Sequence, residues 1–151
     1  MTEASSVRIG CWAGAWGDSP AAARQLLERG ELDYLVGDHL AEITMALLAR
    51  ARAKDPGAGY VPDVATALVP MLAELSSDGV KVVTNGGGLN PQALADRLAA
   101  AADEARLELA IAHVSGDDVS GLLDELRAEG VRDMFTGEPL PDAALTANAY
   151  L

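Results

Sequence analysis

The residues best suited to chemistry in this chain are carboxylates, amides and glycines gathered at the ends of short apolar runs. Asp38, His39 and Glu42 form the densest titratable group. Residues four apart share a helix face, so Asp38 and Glu42 both point toward one end of a helix that starts here. Two carboxylates held close split their pKa values, which suits one acid and one base. The same residues also fit a plainer arrangement, with Asp38 as a helix cap, Glu42 as a partner of the helix dipole and His39 solvated.

Asn85 and Asn90 bracket three consecutive glycines, Gly86, Gly87 and Gly88. Such a run is costly in chain entropy and is expected where the backbone must do something a side chain prevents. Asn85 is a candidate catalytic amide. Exposed amides at the glycines, beside the start of the next helix, can hold a carboxylate, phosphate or thioester oxygen. A tight strand-to-helix turn is the alternative. On the ligand reading, Gly87→Val abolishes binding while sparing the fold.

The first loop runs from Gly10 to Ser19 and contains Gly14, Gly17 and Asp18 together with Trp12 and Trp16. Its glycines allow a ligand to approach closely, and the tryptophans either offer flat apolar surface to a chain or ring or fill the core. The spacing is neither the dinucleotide fingerprint nor a phosphate-binding P-loop. Asp117 and Asp118, in Ser115-Gly116-Asp117-Asp118, either cap a helix or supply oxygen ligands to a divalent ion; no metal is assigned. None of the 11 basic residues falls inside the four loops, so an anion is expected to be held by backbone amides.

Elements that position these loops follow from the apolar pattern. Residues 7–9, 32–36, 80–84 and 107–114 read as buried strands, the last with His113 as a core histidine. Each is followed by a helical pattern. Ser19-Pro20 and Asn90-Pro91 are cap-and-proline helix starts, Pro62 opens a further helix, and Pro70 breaks it near Val69. Strands alternating with helices pair in parallel through right-handed crossovers, with their outgoing loops at one edge of the sheet. The expected fold is a single α/β domain over residues 1–151, a three-layer sandwich with a mostly parallel, doubly wound, Rossmann-like sheet.

Composition removes several function classes. A net charge of -12, from 23 acids against 11 bases, repels nucleic-acid phosphates and anionic lipid. No apolar run is long enough for a membrane span, and the N-terminus lacks the pattern of an export signal. Cys11 is the one cysteine, which rules out an internal disulfide and points to a reducing, cytoplasmic setting.

Read together, the motifs resemble the acyclic terpene utilisation (AtuA-like) family. The resemblance rests on Arg8-Ile9-Gly10 with Gly14, Gly17 and Asp18; on Leu32-Asp33-Tyr34-Leu35-Val36 through Leu40-Ala41-Glu42; and on Asp55-Pro56 with Gly59-Tyr60. It continues through Val83-Thr84-Asn85 with Gly87, Asn90 and Pro91, then Gly116-Asp117-Asp118 and Ala147-Asn148-Ala149-Tyr150-Leu151. It implies a role in catabolism of branched terpenoid acids as acyl-CoA thioesters, with the chain corresponding to the N-terminal portion of longer family members. The carried-over residues are Gly10, Gly14, Gly17, Asp18, Glu42, Asn85, Gly87, Asn90, Asp117 and Asp118.

The resulting expectation is a lyase or hydratase component. Asp38 or Glu42 moves a proton, Asn85 assists, and the amides of Gly86, Gly87 and Gly88 steady a carbonyl oxygen. No cofactor is assigned beyond a CoA thioester as a substrate moiety. The alternative is a non-catalytic binding or assembly subunit. In either case Leu145, Ala149, Tyr150 and Leu151 form an apolar edge expected to mediate self-association or docking on a partner chain.

Overall fold

The computed structural model describes residues 6–142 and 146–149, which fall into two compact units, Met1–His113 and Val114–Leu151. In the first, β1 (Ile9–Ala13), β2 (Tyr34–Gly37) and β3 (Lys81–Thr84) form a parallel sheet in the order β1-β2-β3. The register aligns Ile9, Tyr34 and Lys81 in one row and Cys11, Val36 and Val83 in another. Around the sheet lie α1 (Ala22–Gly30), α2 (Glu42–Lys54), α3 (Pro62–Leu68), α4 (Leu72–Ser77) and α5 (Pro91–Glu104).

Both steps of the strand order run the same way, so the sheet lacks the reversal that defines a doubly wound fold. Right-handed crossovers made in one direction leave their helices on one face. Exposure follows that rule. Leu35 is fully buried under the helices, whereas Ile9 and Val83 on the opposite face are 64% and 54% exposed. The three-layer sandwich expected from the alternation is therefore a smaller, one-sided arrangement in this unit.

Residues 107–114 carry no strand pairing, although Leu107, Leu109 and Ile111 are half-buried while Glu108, Ala110 and Ala112 are exposed. The alternation of a strand is present without a ladder partner. His113, expected in the core, is exposed. The first strand is also displaced: pairing with β2 carries it past Gly10 to Ala13, where the Ala13 carbonyl accepts from Asp38 N at 2.9 Å. Gly10 thus lies in the sheet and not in the loop. A β-carbon there would sit 2.7 Å from Leu32 Cδ1, so Gly10 lets the β1 backbone lie against Leu32.

Proline positions act as expected. Pro62 opens α3, and the missing amide of Pro70 divides the helical stretch into α3, a 3₁₀ turn at Val69–Met71, and α4. Asn90 caps α5 by accepting from Ala93 N at 3.2 Å. Ser19 does not cap α1, which begins two residues after Pro20 without a side-chain cap. The core of this unit is built on Leu35, Leu48, Val61, Val64 and Met71.

The second unit has a 3₁₀ turn at Ser120–Leu122, then α6 (Leu123–Ala128). Isolated antiparallel bridges join Asp118 to Asn148 and Arg132 to Pro139. Of the apolar edge expected at the C-terminus, Ala149 is half-buried, while Leu145, Tyr150 and Leu151 lie outside the described residues. Among the described residues no helix is long and apolar enough to cross a membrane.

Candidate functional site

At the carboxyl ends of β1 and β2 a cavity of about 300 Å³ opens between the first loop and α3. Trp12, Ala13, Ala15, Pro20 and Ala67 give it an apolar lining, and Asp18, His39, Asp63 and Thr66 bring its polar groups. Trp12 reaches it from the buried face of β1, and His39 reaches it from the turn after β2. Both are buried, at 5% and 3% exposure, yet Trp12 Nε1 and both ring nitrogens of His39 have no hydrogen-bond partner. Buried polar atoms are almost always satisfied, so three orphans in the side chains of two residues beside the cavity set this region apart.

Gly37 makes that arrangement possible. A β-carbon on it would lie 2.4 Å from Trp12 Nε1 and 2.8 Å from His39 Nε2. The two nitrogens therefore converge over this glycine, and the rings meet edge to face with centroids 4.9 Å apart. The His39 backbone is fixed from the neighbouring loop, its N–H donating to Asn85 Oδ1 at 2.7 Å, while Asn85 Nδ2 donates to Asp38 Oδ1 at 2.6 Å. Asp38 and Asn85 thus clamp together the turns that follow β2 and β3. Asp38 does not cap α2, whose first residue, Glu42, is exposed.

Asp18 stabilises the first loop by accepting from Gly14 N at 3.0 Å and Ser19 N at 3.1 Å. Those two amide bonds hold its carboxyl below the usual carboxylate range. Gly17 has φ 88° with open space around it, so this turn needs glycine for its backbone conformation.

The glycine run is explained by packing. Gly86 N donates to Thr84 Oγ1 and Gly88 N to the Asn85 carbonyl, so these two amides already serve the loop. A β-carbon at Gly86 would meet Val64 at 2.5 Å, and one at Gly87 would meet the Pro91 α-carbon at 2.8 Å. Gly87→Val therefore disturbs the fold and cannot isolate a ligand effect as the sequence suggests. Asn90 joins this loop to residues 56–58 by donating to the Pro56 and Ala58 carbonyls. Asp117 and Asp118 belong to the second unit, where Asp117 Oδ2 accepts from Asn148 Nδ2 at 2.9 Å and Asp118 Oδ1 from Ser120 N at 3.0 Å.

Sequence reasoning missed Asp63, Thr66 and the burial of His39. Asp63 and Thr66 are three apart on the polar side of α3, a detectable pattern, but periodicity cannot say which loop that side faces. Among the described residues no group of three or more His, Cys, Asp or Glu side chains is placed to hold a metal ion.

Burial pushes the His39 imidazole below its ordinary value of 6.5, a loss only partly offset by the charges of Asp63, Asp38 and Asp18. As pH falls through 6.5 the unfolded chain takes up this proton before the folded one, so His39 costs stability in acid and is silent above that pH. Urea unfolding at pH 7.5 and 5.5 should show wild type losing more stability than His39→Gln. Equal losses count against the buried neutral ring.

No curated protein and no solved structure matches the chain. Residues 7–151 match the sequence model described as acyclic terpene utilisation family protein AtuA, and the chain belongs to that family.

Proposed function

We propose that this protein takes part in the breakdown of branched terpenoid acids as acyl thioesters, binding the acyl portion in the β1–β2 edge cavity and acting as a lyase or hydratase. The observation that carries this reading is a buried, unpartnered His39 beside a largely apolar cavity, with burial holding its imidazole below its ordinary value. A neutral imidazole is a competent base near pH 7. It takes a proton from the carbon next to the carbonyl, and the C–H electron pair passes toward the carbonyl. The imidazolium then protonates the hydroxyl on the following carbon, and as that C–O bond breaks and water leaves, the electron pair returns from the carbonyl to form the carbon–carbon double bond; hydration is the reverse.

Asp38 and Asn85, assigned catalytic roles from sequence, act here as positioning residues through the His39 backbone. Gly14, Gly17 and Asp18 shape the cavity loop, and Gly86 packs next to the His39 ring. With one cysteine and no disulfide to form, the cytoplasm suits this role. The open sheet face, with Ile9 and Val83 exposed, favours a second reading as an assembly subunit, since parallel sheets are ordinarily covered on both faces.

One experiment separates the readings: calorimetry and turnover with a branched 3-hydroxyacyl thioester and its dehydrated counterpart, using the isolated chain. Binding with interconversion supports the enzyme. Binding without it supports the assembly subunit, and no binding removes the cavity from consideration.

A further inference from the structure

We propose that residues 107–113 form an edge strand that pairs, antiparallel and about a two-fold axis, with the same segment of a second copy of this chain. Such pairing is independent of whether the cavity takes a ligand.

The segment leaves α5 by a defined turn. Arg106 lies in the left-handed region at φ 57°, its N–H donates to the Asp103 carbonyl at 3.0 Å, and the Leu107 N–H donates back to the Ala102 carbonyl at 2.9 Å. These bonds close the helix and release the chain at Leu107. From there the backbone stands alone. Among the described residues no hydrogen bond reaches the N–H or carbonyl of any residue from Glu108 to His113. Backbone polar groups need partners, and a row of them left open along a strand is the template on which another strand adds.

Composition and exposure mark a strand and not a loop. Leu-Glu-Leu-Ala-Ile-Ala-His contains neither glycine nor proline, the residues that punctuate loops. Leu107, Leu109 and Ile111 are half-buried while Glu108, Ala110 and Ala112 are exposed, which is the period of two of a strand covered on one face.

A second copy fits this strand by charge and by register. The net charge of -12 sets copies of the chain apart over most of their surface, but residues 107–113 hold a single carboxylate, Glu108. Two apolar rows stay on one face of an antiparallel pair only when odd positions lie opposite odd ones. The register centred on Ala110 meets that condition and pairs the whole segment. It sets Leu109 opposite Ile111 of the other copy and Glu108 opposite Ala112, so the two Glu108 carboxylates lie at opposite ends. The segment is complementary to itself, as a two-fold interface requires. So short a ladder buries less than roughly 1,200 Å², which puts the dissociation constant on the order of 10–100 µM.

Sedimentation of the full chain from about 1 to 500 µM, at low ionic strength, tests this. Wild type should pass from monomer to dimer, and alternate amides within residues 108–113 should exchange with solvent more slowly in the dimer. Ala112→Glu faces Glu108 of the other copy twice across the axis and should weaken the dimer about fivefold or more, whereas Ala112→Lys should tighten it by a similar factor. Glu108→Lys combined with Ala112→Glu should associate as Ala112→Lys does. Ala100→Lys makes the same charge change on an exposed position of α5 and should alter the constant by less than about twofold. A strictly monomeric wild type leaves the strand to some other occupant and overturns the proposal, as does a dimer protected from exchange only outside residues 107–113. Equal effects of glutamate and lysine at position 112 also overturn it, and so does a gain from Ala100→Lys as large as that from Ala112→Lys. Sedimentation and exchange of wild type remain decisive if a variant folds poorly.

Discussion

Replacing His39 with glutamine is expected to lower turnover of a branched acyl thioester by about 10²–10⁴-fold, the range typical of a lost general acid–base group. Glutamine keeps the backbone N–H that donates to Asn85 Oδ1, so the clamp between the turns after β2 and β3 survives. It also keeps a polar end in the cavity but cannot carry a proton in the working pH range. The loss should appear in kcat with a smaller effect on KM, because the apolar walls that hold the chain are untouched. Circular dichroism separates this result from unfolding. A folded variant with undiminished turnover removes His39 from the chemistry.

A second large effect is expected at Gly88, on stability and not on turnover. Its φ of 53° lies in the left-handed region, and a β-carbon there would stand 2.4 Å from Leu48 Cδ1 and 2.9 Å from the Gly59 carbonyl oxygen. Leu48 is buried and the carbonyl belongs to backbone, so neither yields easily. Gly88→Val combines the left-handed penalty of roughly 1–2 kcal/mol with overpacking of about 1–3 kcal/mol. Urea unfolding should therefore show a loss of about 2–5 kcal/mol. Gly17→Ala is the control: its φ is also positive, but nothing lies within 4 Å, so only the conformational part is lost. Similar losses in both variants contradict the packing account.

Much of the framework was legible because it depends on neighbours in the chain. Pro62, Pro70 and the Asn90-Pro91 pair act through amides within a few residues, and they start or break helices where their chemistry requires. Long-range relations were not legible. The alternation at residues 107–114 is genuine, but a strand also needs a neighbour to pair with, and local periodicity does not name one. Gly10 illustrates the same limit, since a glycine after an apolar run reads as a loop until the partner strand is seen to continue beside it.

The site was half visible for the same reason. Asp38, Asn85 and Asp18 were selected for their chemistry, and each does bind another loop, cap an amide or bridge two turns. The glycine run was selected for its conformational demand, and that demand turned out to be close packing against Val64, Pro91 and Leu48. In the sequence His39 reads either as part of the acidic group with Asp38 and Glu42 or as a solvated residue. Only the packing of Trp12, Gly37 and Gly86 around its ring makes it buried and unpartnered, and no one-dimensional pattern records that.

Whether the His39 cavity receives the ligand is directly testable, because the chain has two histidines. Imidazole resonances should be followed by NMR while a branched acyl thioester is added to saturation at pH 7.5. The His39 ring signals should move in proportion to ligand bound, while those of the exposed His113, which does not line the cavity, stay in place. Saturable binding measured by heat with His39 unmoved would contradict it.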